Sequence, residues 1–126
     1  MDSIALPYRV KMIRDASAHD VFGIADLLQG LAEHDGVAPD FRLEPSRLSA
    51  DLFSPSPSAE VIVAEESTAD GATILVGMAL FFPTYSTLVG ARCLHLADLF
   101  VLPRHRGRGH GRALLSRLAA IALAGC

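Results

Sequence analysis

Apolar positions along this chain of 126 residues keep changing period, and each change marks an element. The segment "YRVKMIRDA" (Tyr8 to Ala16) alternates apolar and polar residues and predicts a first strand. Val21, Ile24, Leu27, Leu28 and Leu31 then recur at helical spacing, with Asp15 or Ser17 as candidate cap and Gly36 as the stop. In "EPSRLSADLF", Pro45 suits a helix start, and Leu48, Leu52 and Phe53 supply a short apolar pattern. "SPSPS" (Ser54 to Ser58) reads as a loop.

The period then shortens. "AEVIVAEE" (Ala59 to Glu66) predicts a strand, Asp70-Gly71 a hairpin turn, and "TILVGMALFF" (Thr73 to Phe82) the returning strand. Gly77 in that strand marks a bulge or a close backbone approach. "LHLADLFV" (Leu94 to Val101) is a further strand, ended by Pro103. From about Gly109 to Ala124 the pattern is helical and apolar on nearly every side. Strands with helices before and after them predict an α+β domain built on a mixed, mostly antiparallel sheet with helices on both faces. No internal repeat and no domain boundary is visible, so residues 1–126 read as one domain.

Charge changes the picture. The net charge is −3, yet residues 1–98 hold six basic and fourteen acidic side chains, whereas residues 99–126 hold five basic and none acidic. This asymmetry predicts one local anion site on an otherwise acidic body, and it argues against nucleic acid, which favours a basic face. No apolar run reaches the length of a membrane span, and the N-terminus lacks the basic start and apolar stretch of a signal peptide. Cys93 and Cys126 form neither a disulfide framework nor a metal motif. The expectation is a cytoplasmic protein with no metal and no membrane partner.

The anion site has an address. "VLPRHRGRGHGRALL" (Val101 to Leu115) places four arginines, two histidines and three alternating glycines between a strand and a helix. A helix N-terminus presents unpaired N–H groups and partial positive charge. Bare glycine backbone lets a phosphate reach those groups, and arginines add charge-assisted bonds. Donors spread over two turns of chain suit a pyrophosphate. Spacing excludes a Rossmann loop, since Leu114 stands where a third glycine is needed, and a P-loop, since no lysine follows Lys11.

The run Arg106-Gly107-Arg108-Gly109-His110-Gly111 resembles the Arg/Gln-x-x-Gly-x-Gly/Ala signature of the GNAT superfamily of N-acetyltransferases. "LAEHD", "DLF", "VGMALFFPTYST" and "LADLFVLPRHRGRGHGRALL" are similar to the diamine (spermidine/spermine) and thialysine branch. The resemblance runs from about Val10 to the last residue. It implies the GNAT fold and acetyl transfer from acetyl-CoA, as cosubstrate, to a primary amine of a small molecule. A homodimer is implied as well. By this resemblance Leu99, Phe100 and Val101 offer strand backbone to the pantetheine arm, while Arg106, Gly107, Arg108, Gly109, His110, Gly111 and Arg112 hold the pyrophosphate. Within that loop, His110 is expected to contribute backbone rather than imidazole. His34, Asp35 and Tyr85 match positions that line the amine site, and Asp35 beside Gly36 equally suits a helix-end turn.

Two departures from the pattern stand out. The glutamate that handles the amine in that branch is matched by Ala97. Plain alternation places Asp98 on the face opposite Ala97 and His95 on the same face as Ala97, which makes His95 a weak candidate base. The family's "N-x-x-A-x-x-F-Y" segment, whose tyrosine protonates the thiolate, is not found before Cys126. The resemblance therefore implies a domain lacking its C-terminal strands and helix, completed by another chain or truncated. A weakly active or inactive CoA-binding module is the alternative.

Overall fold

The computed structural model describes residues 10–37 and 43–125. The expected strand start at Tyr8, and Cys126, lie outside the described residues. Four strands, β1 (Val10–Asp15), β2 (Glu60–Ser67), β3 (Thr73–Ser86) and β4 (Ala91–Val101), form one sheet in the order β1-β2-β3-β4, every neighbour antiparallel. Helices α1 (Val21–His34) and α2 (Pro45–Phe53) cover one face and α3 (His110–Gly125) the other. Short 3-10 turns at Ala18–Asp20 and Pro103–His105 lead into α1 and into the glycine loop.

Each face has its own core. Ile24 and Leu27 of α1 and Leu52 of α2 bury against Val63, Met78 and Phe100 of the sheet. On the other side Leu114 and Leu118 of α3 bury against Ile62, Val76, Ala79 and Phe81. Strand alternation supplies both sets, because neighbouring residues such as Ile62 and Val63 point to opposite faces. The helix α3, apolar all round in sequence, buries one stripe and leaves Leu115 and Leu123 exposed.

Local chemistry explains the helix ends. Ser17 and Asp20 form a capping box ahead of α1, the Ser17 amide donating to Asp20 Oδ2 at 2.8 Å. At the other end Gly36 adopts φ 78°, its amide donates to the Glu33 carbonyl, and the Val37 amide reaches the Ala32 carbonyl at 2.9 Å. This is a Schellman closure, which needs a residue tolerant of positive φ. Asp35 is its C-cap residue.

Two strands run further than the periodicity predicts. β3 continues through Pro83 to Ser86, and β4 begins at Ala91, so the two form a long hairpin. Pro83 is tolerated because β2 ends opposite Phe81, leaving no second neighbour for a missing N–H.

Bulges correct the reading of strand faces. Ala64 pairs with Gly77 but Glu65 with Leu75, so Val76 is an extra residue in β3. Likewise Leu80 pairs with Asp98 but Phe81 with Leu96, so Ala97 is an extra residue in β4. Cross-strand partners share a face, and Leu80 packs into the α1/α2 core. Asp98, paired with Leu80, therefore lies on the same face as His95, paired with Phe82. Alternation placed Asp98 on the opposite face. The extra residue resets the parity.

Candidate active site

The C-terminal end of β4, the glycine loop, the start of α3 and the end of α1 surround a cleft of about 790 Å³. Leu99, Phe100 and Val101 form its floor, and Arg106, Gly107, Gly109, His110, Gly111 and Arg112 line one end. Leu31, His34 and Asp35 line the wall supplied by α1. Residues far apart in sequence are thus gathered because α1 lies across Phe100. The His34 and Phe100 rings stand 6.4 Å apart, and a Cβ on Gly30 would come within 3.2 Å of the Phe100 ring.

β4 is the edge of the described sheet, so the outer side of its backbone has no strand partner among the described residues. Such an edge can accept an extended amide-bearing chain. The Val101 carbonyl already accepts a bond from Arg106 Nε at 2.8 Å. The same guanidinium stacks 5.5 Å above the Phe100 ring, which fixes Arg106 over the floor through a cation–π contact.

The loop fits a pyrophosphate. Gly107 and Gly109 take φ 80° and 86°, a conformation that side chains rarely adopt. Around Gly107, Gly109 and Gly111 nothing lies within 4 Å of where a Cβ would stand, so the backbone is bare along the cleft. Helix α3 starts immediately afterwards, at His110, and turns its N-terminal N–H groups and dipole toward the same space.

The side chains between these glycines, those of Arg108 and His110, turn to Glu66 instead. His110 is buried, and its Nε2 lies 2.6 Å from Glu66 Oε2, on β2. Arg108 Nη1 donates to both Glu66 oxygens, at 3.0 and 3.2 Å. His105 Nδ1 lies 3.2 Å from Glu66 Oε1 and 3.1 Å from Arg108 Nη1. It donates to the carboxylate when that nitrogen carries a proton and accepts from Arg108 when it does not. Lys11 Nζ also donates to the Arg108 carbonyl. Burial alone pushes the Glu66 carboxyl up, but bonds from His110 and His105 outweigh it and hold the group below its ordinary value. Neither motif nor resemblance points to Glu66 as a site residue. Its signal was present, since it follows Ile62 and Ala64 on one face of β2, an acid placed in a core-facing register.

Tyr85 and His95 are not among the residues that line the cleft. Tyr85 pairs with Arg92 near the hairpin end and is exposed, and His95 is exposed with its ring 5.0 Å from that of Phe82. Ala97 is exposed as the extra residue of the bulge.

A second cavity, of about 410 Å³, lies beside Arg14, Asp20 and Glu65. Three of its charged groups are bonded to one another, Arg14 to Asp20 at 2.8 and 2.9 Å and to Glu65 at 2.9 Å. Those bonds raise the Arg14 pKa and lower that of Asp20.

An edge strand leading into a glycine loop and a helix N-terminus, facing a helix across a cleft, is a frame that suits an extended chain ending in a pyrophosphate. Residues 28–125 match the family model described as "Acetyltransferase (GNAT) family", and the chain belongs to that family. It is 34% identical over 115 residues to a thialysine N-epsilon-acetyltransferase of Bos taurus, covering 89% of this chain and 67% of the relative. The chain thus spans about two thirds of that relative's length. Among solved structures it resembles an acetyltransferase of Trypanosoma brucei, with TM-score 0.67, 26% identity and coverage of 93% of this chain and 78% of that one. A ribosomal-protein-alanine N-acetyltransferase from Brucella melitensis biovar Abortus 2308 gives TM-score 0.65 at 25% identity, covering 88% and 70%. Among the described residues no helix is long and apolar enough to cross a membrane.

Proposed function

We propose that this chain binds acetyl-CoA in the cleft between β4 and α3 and acetylates a primary amine of a small molecule, of the polyamine or thialysine type. The carrying observation is the bare backbone of Gly107, Gly109 and Gly111 at the mouth of α3, continuous with the floor Leu99–Val101. When bound, acetyl-CoA supplies the activated acetyl group. The loop N–H groups and the exposed Arg112 hold its pyrophosphate, and the β4 edge aligns its pantetheine amides. At the opposite wall His34 and Asp35 receive the amine. A carboxylate there favours the ammonium form on arrival, and the imidazole of His34 stands beside it in the same wall as a candidate proton acceptor.

Single-domain organisation over residues 1–126, a homodimer and a cytoplasmic setting belong to the same proposal. The 34% identity to a thialysine N-epsilon-acetyltransferase supports the small-amine class. The reading of a weakly active or inactive CoA-binding module rests on Ala97, which places a methyl group where the resemblance expects a carboxylate. Incubating the protein with acetyl-CoA and either spermidine or thialysine, and following free thiol, tests both. Amine-dependent thiol release is the expected result. Acetyl-CoA binding without thiol release on either amine would favour the module instead. Mass by light scattering tests the dimer.

A further inference from the structure

We propose that Glu66 is a positioning residue for the pyrophosphate loop, acting through His110, Arg108 and His105. The inference rests on the reading of that loop as the acetyl-CoA site.

The loop alternates in function as it does in sequence. Gly107, Gly109 and Gly111 bare their backbone along the cleft, and the residues between them, Arg108 and His110, are held by one buried carboxylate. Glycines that open the backbone also leave it free to take many conformations. N–H groups bind an anion well only when fixed in advance, since ordering them on binding costs affinity. Glu66 supplies that fixation from a central strand of the sheet, 44 residues away from His110. His110 is the first residue of α3, so its bond to Glu66 also fixes where the helix N-terminus points.

The same bonds sort the charges. Arg108 donates to both carboxylate oxygens, so its guanidinium is paired. Binding then relies on backbone N–H groups together with Arg106 and Arg112, which line the cleft. Glu66 thereby takes Arg108 out of the set of free cations and fixes the backbone dipoles that act beside Arg106 and Arg112.

The test compares acetyl-CoA with acetyl-pantetheine, which has the thioester and arm but no pyrophosphate. Glu66→Gln keeps the side-chain volume and removes the charge. For this variant kcat/KM with acetyl-CoA should fall by about tenfold or more, with a matching rise in the acetyl-CoA Kd by calorimetry. With acetyl-pantetheine it should stay within about twofold. His110→Phe keeps a ring in the pocket, drops the bond to Glu66 and should shift acetyl-CoA in the same direction even if Glu66→Gln does not fold. An unchanged acetyl-CoA Kd in a folded variant overturns the role of Glu66 and leaves the acetyl-CoA reading standing. Equal losses with both thioesters overturn it too, since they signify general loosening. If the wild-type protein turns over no amine, the acetyl-CoA Kd values alone decide. If the wild-type protein does not bind acetyl-CoA, the reading of the loop fails and this inference with it.

Discussion

A Cβ placed on Gly77 would stand 3.1 Å from the carbonyl oxygen of Phe100 and 3.2 Å from a methyl of Val101. The glycine sits next to the bulge in β3, paired with Val101, so β4 approaches it closely at the floor of the cleft. The obstructing atom is backbone, which moves only with the strand. Gly77→Ala should therefore destabilise the protein by about 1–3 kcal/mol and raise the KM for acetyl-CoA as Phe100 and Val101 shift. Gly23→Ala is the control. Its Cβ would come within 2.8 Å of a terminal carbon of Leu75, a side chain that can turn away. Since alanine also favours the helix by about 1 kcal/mol, that variant should melt close to wild type. Thermal denaturation followed by circular dichroism compares the two.

The loop glycines should separate in the same way. Gly109 holds φ 86°, so Gly109→Val places a β-branched residue in a region it avoids, costing about 1–3 kcal/mol besides filling the cleft. Loss of acetyl-CoA binding with the fold retained is the expected outcome. Unchanged affinity would show that the phosphate lies elsewhere. Gly111 lies within α3 and needs no positive φ. Gly111→Ala should retain binding, as the signature admits alanine there, and raise stability by up to about 1 kcal/mol. Gly111→Leu should fold normally and lose acetyl-CoA affinity by about a hundredfold, a difference readable by calorimetry.

These glycines were legible in sequence because loop, helix start and spacing are local. So was α1, from its apolar stripe to Gly36. What escaped was long-range or depended on an inserted residue. The faces of His95 and Asp98 cannot be inferred by counting, because Ala97 is an extra residue that only pairing with β3 reveals. Periodicity ends β3 at Phe82, because the tolerance of Pro83 depends on β2 reaching only as far as Phe81. Only the resemblance points to His34 and Asp35, since nothing local says that α1 crosses Phe100. Glu66 belongs to the loop through bonds spanning 42 and 44 residues, a relation visible only once the sheet is assembled.

Phe100 joins the two halves of the molecule. It is buried in the α1/α2 core, its ring meets Gly30 and His34, and it carries Arg106 on one face. Phe100→Ala should cost about 3–5 kcal/mol through the cavity it leaves. Phe100→Leu fills most of that space but offers no π face to Arg106. It should cost less than about 1.5 kcal/mol and still weaken acetyl-CoA binding by severalfold, a split between melting temperature and Kd.

Acid should act on the protein through Glu66 and Asp20. Both carboxyls are held below their ordinary values of 4.5 and 3.8, Glu66 because bonds from His110 and His105 outweigh burial, Asp20 chiefly by its bond from Arg14. A carboxyl whose pKa is lower in the folded state stabilises the fold fully above the unfolded value. That contribution disappears as pH falls through the folded value. Melting temperature should therefore be insensitive to these two groups at neutral pH and fall progressively once pH drops below about 4.5, the ordinary Glu66 value. Glu66→Gln cannot lose a charge on acidification, so its melting temperature should start lower at neutral pH and fall less steeply in that window. Asp20→Asn should reduce the slope further. Parallel curves for wild type and Glu66→Gln across the window would mean that Glu66 titrates alike folded and unfolded, contrary to its burial against two histidines and an arginine.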